Sequence, residues 1–128
     1  MGAWGTGSFE NDDAVAWIAG LGAVTPEELM GILARAADAP EYLEAAPARI
    51  AVAAGEVVSA LNGSAAEGAP AGILEWAGKH VGSPELKAAA VRALDRVRRN
   101  SEVKDLWMEA DGLNEWVAVM KELEGRVG

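Results

Sequence analysis

The chain has 128 residues, a formal charge of −9 at pH 7, no Cys and one His. That length suits a single compact domain, and the lack of Cys excludes disulfides, thiolate metal sites and cysteine nucleophiles. The acidity disfavours nucleic acid and anionic membranes as partners, because a phosphate binder needs a cationic footprint.

Residues 1–9 place Gly2, Gly5 and Gly7 around Trp4 and end at Phe9. Gly at this density marks backbone that turns tightly or is closely approached. The two aromatics predict an arm docked on the body, with Trp4 and Phe9 packed against helices. Helix one starts at Asn11, an N-cap followed by Asp12 and Asp13 at the positive end of the macrodipole. Its stripe is Ala14, Trp17, Ile18 and Leu21. Helix two carries a capping box, Thr25 with Glu28, and Pro26 at its first position. Leu29, Ile32, Leu33 and Ala36 form its stripe, and Pro40 stops it. Tyr42 and Leu43 then read as inward anchors of a short turn.

Pro47 to Leu61 is almost continuously Ala, Val, Ile and Gly, which predicts a helix buried on most sides. Asn62-Gly63 ends it, and residues 63–69 form a loop too short to separate domains. Helix four runs from about Pro70 to His80, with Ile73, Trp76, Ala77 and His80 on one face. Ser83-Pro84-Glu85 starts helix five, whose inward face is Leu86, Ala90, Ala93, Leu94 and Val97. Asn100 or Ser101 caps helix six, with Val103, Leu106, Trp107 and Ala110 inward. Asp111 is the expected cap of helix seven, whose stripe is Leu113, Trp116, Val117, Met120 and Leu123. No segment alternates with period two. The fold class is therefore all-α, a compact single domain over 1–128 with six to seven helices and a docked Gly/Trp-rich arm. With 27 Ala in the chain, close helix contacts are expected to build the core, and the five Trp supply its bulk.

The N-terminal run Met1-Gly-Ala-Trp-Gly-x-Gly-x-Phe-Glu-Asn-Asp-x-Ala continues to Trp17. With Ala53-Ala-x-Glu56-Val-Val and Asn100-Ser-Glu-x-x-x-Leu-Trp-x-Glu-Ala-Asp, it resembles a family of small bacterial proteins, domain of unknown function 4259. The similarity spans essentially the whole chain. It implies a bacterial origin and one helical domain, and no chemistry, since the family carries no established activity. Its motif residues point to Trp4, Phe9, Asn11, Asp12, Glu56, Asn100, Ser101, Glu102, Trp107 and Glu109. Where the family often has an acid before the Trp of helix one, this chain has Ala16.

Glu56 is the most informative residue, because a carboxylate in the most apolar helix needs a donor. Six of the eleven cations lie between Pro84 and Lys104. Arg92 and Arg96, one turn apart, are therefore the expected partners, with backbone N–H groups of the arm as a further source. The other reading of Glu56 is a buried acid lining a pocket. His80 has no orienting acid or nucleophile at a telling spacing, so no catalysis by it is expected. Asp12, Asp13, Glu109 and Asp111 lack the spacing of a Ca²⁺ loop. Neither a metal nor a cofactor is expected.

The favoured function is a non-enzymatic interaction module, inhibitor or immunity-like, whose partner is another protein. The alternative is a small-ligand binder or weak hydrolase, with a pocket formed by Trp4, Asn11, Asp12, Glu56, Arg92, Arg96 and Trp107. Neither a signal-peptide pattern nor an apolar run near the ~20 residues of a membrane span is present, so a cytoplasmic location is expected.

Overall fold

The computed structural model describes residues 3–128. Seven α-helices follow the arm: α1 (Asp12–Ala19), α2 (Pro26–Ala37), α3 (Ala45–Leu61), α4 (Ala71–Lys79), α5 (Pro84–Arg99), α6 (Glu102–Glu109) and α7 (Leu113–Val127). A single 3₁₀ turn, Leu21–Ala23, links α1 to α2. There is no strand among the described residues, only one antiparallel bridge between Ala3 and Asn11.

The caps are where the sequence puts four of them. Asn11, Thr25, Ser83 and Ser101 each accept a backbone N–H of the helix that follows. The capping box of α2 is complete, with Glu28 N–H on Thr25 and Thr25 N–H on the Glu28 carboxylate. α7 departs from expectation. Asp111 takes the left-handed conformation at φ 57° and Gly112 occupies the N-cap position. Only Gly fits there, because a Cβ on Gly112 would lie 2.6 Å from the Trp107 ring.

α3 is the axis of the bundle. Residues 51–59 are all buried, and α3 touches each of the other six helices. Small side chains permit this. Gly55 lets Leu94 of α5 approach until a Cβ would stand 3.0 Å from a Leu94 methyl. Leu29, Leu33, Val57, Val58, Ile73, Val97, Met120 and Leu123 belong to the same core as Leu94, each with at most 1 % exposure. Burying such a side chain contributes about 1.5–3 kcal/mol relative to leaving it in water. Trp76 and Trp116 are buried too, whereas Trp17 and Trp107 are half-buried.

Three expected inward residues face water instead. Leu106 and Ala110 are exposed on α6, which buries only Val103. Tyr42 is exposed because its hydroxyl donates to Asp105 at 2.6 Å, and Leu43 alone supplies the anchor. This ties the irregular segment before α3 to α6. Glu102 N–H adds a bond to the Leu43 carbonyl, and its carboxylate accepts from Ala45 N–H.

Two predictions follow from this packing. Gly55→Ala must displace Leu94, so despite a better helix propensity it loses about 1 kcal/mol in chemical denaturation. Gly78→Ala, whose Cβ meets nothing within 4 Å, gains up to about 1 kcal/mol in the same assay. The Tyr42 phenol is pushed up to about 12 by its hydrogen bond to Asp105 and the neighbouring carboxylates. A raised folded pKa means that the stabilisation from this contact is whole below pH 10 and is lost as pH rises from 10 through about 12. Spectroscopic titration of this single Tyr should fall back toward its ordinary value in Asp105→Asn.

Candidate functional site

The arm is a built turn. Trp4 N–H donates to the Glu10 carbonyl at 3.0 Å, and Glu10 N–H donates to the Gly7 carbonyl at 3.1 Å. The Glu10 carboxylate folds back to accept from Gly7 N–H at 2.9 Å. A Cβ at either Gly5 or Gly7 would come within 2.6 Å of that carboxylate, which explains why both positions are Gly. The arm is docked through Ser8 and Asn11, both buried, and through Phe9, half-buried against the core. Trp4 departs from the expected packing. Its side chain points outward and is 62 % exposed, since the turn directs Ala3 and Gly5 inward on either side of it.

Beneath the arm, α3 presents Arg49, Val52, Glu56 and Ser59, which share one face by helical spacing. Glu56 is 3 % exposed, and its partners are not those expected from the sequence. Arg126, in the last turn of α7, donates from Nη1 to Oε1 at 3.0 Å and from Nη2 to Oε2 at 3.2 Å. Ser8 Oγ donates to Oε2 at 2.6 Å, so the carboxylate is held by a forked guanidinium and the arm together. Arg126 also donates to Ser59 Oγ, to the Ser64 carbonyl and to Glu122. Burial opposes its charge, yet the bonds to Glu122 and Glu56 prevail and hold its pKa above the ordinary arginine value. The same contact holds Glu122 below the usual carboxylate range.

Arg92 and Arg96 are engaged on another side of the molecule. Arg92 pairs with Asp38 just after α2. Arg96 donates to the carbonyls of Ala39 at 2.7 Å and Glu41 at 2.6 Å, stapling the α2–α3 connection. The inward register of α5 explains this. Ala90, Ala93, Leu94 and Val97 face α3, which turns Arg92 and Arg96 toward the end of α2. The expected pocket joining Glu56 to these two arginines therefore does not exist. Arg126 lies beyond the last stripe residue read from the sequence, Leu123, and outside the basic stretch of α5, so it was not among the expected partners. The usable signal was its position between Leu123 and Val127 of the buried stripe.

Asn11 and Trp107, two other expected site residues, line one cleft. The arm closes it, and Arg49 and Val52 of α3 and Trp116 of α7 line it too. It has about 20 Å³ of room for water, enough for one molecule. Asp12 stays exposed in the first turn of α1 and does not line the cleft. His80 lies apart, its ring stacked on Trp76 at 3.9 Å and its Nδ1 2.9 Å from the Trp76 carbonyl oxygen. Among the described residues, no three acidic or His side chains converge to hold a metal ion, and no helix is long and apolar enough to cross a membrane.

The chain belongs to the family described as Domain of unknown function (DUF4259), whose model matches residues 2–119. No curated protein and no solved structure matches it. Arg126 lies beyond the matched segment, whereas Ser8 and Glu56 lie inside it.

The geometry makes a specific statement about coupling. Arg126→Met should cost about 3–5 kcal/mol, because it leaves the buried Glu56 carboxylate with Ser8 alone. Glu56→Gln should cost less, because Arg126 keeps Glu122, Ser59 and the Ser64 carbonyl. Their double mutant should lose much less than the sum. Glu56→Gln combined with Arg92→Met or Arg96→Met should be additive within about 0.5 kcal/mol. Urea denaturation of the full cycle checks both statements.

Proposed function

We propose that this member of the family is a non-enzymatic module of the bacterial cytoplasm that binds another protein, with Trp4 as its anchor. The observation that supports this reading is the outward indole on an ordered turn. Two glycines, a folded-back carboxylate and two buried polar residues hold the arm, yet they leave its largest side chain in water. An indole fixed in this way loses little conformational freedom on binding, and Trp is enriched among the residues that dominate interface energetics. An inhibitor or immunity-like role fits such a surface.

Charge favours a basic partner. The chain carries −9, and the exposed carboxylates of Glu10 and Asp12 flank the Trp4 turn. Such a surface steers cationic proteins toward it and loses that attraction as salt rises.

Affinity capture from the host lysate with wild type and Trp4→Ala tests the proposal. A protein retained by wild type should fall about 30-fold or more with Trp4→Ala, the scale of a hot-spot truncation. It should also be retained less as salt is raised. Because Trp4 is exposed, the same substitution should leave unfolding stability within about 0.5 kcal/mol. Indistinguishable sets of captured proteins would contradict the proposal.

A further inference from the structure

We propose that Arg49, on the floor of the cleft beneath the arm, is a binding site for a single carboxylate group. The inference starts from an imbalance among the arginines. The Arg49 side chain is only 13 % exposed, less than the 18 % of Arg98 and Arg126. Those two are richly partnered, Arg126 by Glu56, Ser59, Ser64 and Glu122, and Arg98 by Glu124 and Asp95. Arg49 makes one contact among the described residues, from Nη1 to Asp13 at 3.3 Å. That one long bond leaves its remaining donors without a protein partner among the described residues.

Every fully buried polar side-chain atom among the described residues is satisfied, so the spare donors of Arg49 keep access to solvent, and Arg49 lines the cleft. The unused edge is Nε with Nη2, which presents two parallel N–H groups and matches a carboxylate side-on. Ser8 and Asn11 stand at the polar rim of the same cleft, and Trp107 and Trp116 form apolar walls. Its room for one water admits one oxygen of a carboxylate while the other oxygen and the attached group stay at the mouth. Asp13 already shares the cation, so binding of an isolated carboxylate is weak, with Kd about millimolar. The carboxylate belongs either to a free small acid or to the end of a polypeptide chain.

Isotope-edited NMR of the full chain decides, with the indole N–H signals of Trp107 and Trp116 and the Nε–H of Arg49 as readouts. The probes are acetate, N-acetylalanine, N-acetylalanine amide and sodium chloride at matched ionic strength. Acetate and N-acetylalanine should give saturable shifts that Arg49→Gln abolishes, and the amide and chloride should give none. Tighter binding of N-acetylalanine assigns a chain end as the source, and tighter binding of acetate a free acid. Arg49→Lys keeps the charge without the fork, so it should fold and bind about fivefold more weakly or worse. The proposal is overturned by any one of four results: no saturable shift in the wild type, an equal response to chloride or the amide, an unchanged response in Arg49→Gln, or undiminished affinity in Arg49→Lys.

Discussion

A carboxylate in the middle of the most buried helix is the constraint on which this structure turns. Glu56 stands among residues with almost no contact with water, and an ionised group there must be given donors by the fold. Two elements from opposite ends of the chain provide them, Ser8 from the arm and Arg126 from the last turn of α7. Neither could serve without being placed to within hydrogen-bond distance. The requirement therefore sets where the arm lies, where α7 ends and how the loop through Ser64 closes. An apolar replacement of the whole pair would often cost nothing net. What the pair contributes is position, and breaking one half exposes that dependence.

The rest of the bundle follows from small residues and from cations sent in different directions. Ala and Gly on α3 allow six neighbours to approach it closely, with Gly55 under Leu94 as an example. α5 then faces α3 with its apolar side and distributes its arginines elsewhere. Arg92 goes to Asp38, Arg96 to the α2–α3 connection and Arg98 to Glu124 of α7. Arg92, Arg96 and Arg98 thus act as separate staples. Most are partly exposed, where an ion pair contributes at most about 1 kcal/mol.

Local features were legible in the sequence, because caps, prolines and stripes act within a few residues. The Thr25–Glu28 box, the Asn11, Ser83 and Ser101 caps and the burial of α3 all rest on short-range physics. Long-range pairing was not legible. Glu56 plainly needed a donor, but the choice between α5 and α7 depends on how helices rotate about their axes. Trp4 was misjudged for a related reason. Glycine density indicated a tight arm, whereas the direction of its aromatic depends on Glu10 folding back between Gly5 and Gly7. Of the site residues, Asn11, Glu56 and Trp107 lie in or beside the region covered by the arm. Arg92 and Arg96 fall away from it, and Arg49 and Arg126 enter it unannounced.

The two proposals use different parts of one construction, an ordered arm that shows Trp4 to solvent and covers Arg49. Both depend on Glu56 holding that arm. Amide hydrogen exchange of the wild type and Glu56→Gln, followed residue by residue, tests this dependence most directly. The account predicts that Trp4, Gly7 and Glu10 and the last turn of α7 lose protection together and by more than the amides of α2 and α5, which report only the global loss. Unchanged protection in the arm, with loss confined to α3, would contradict it.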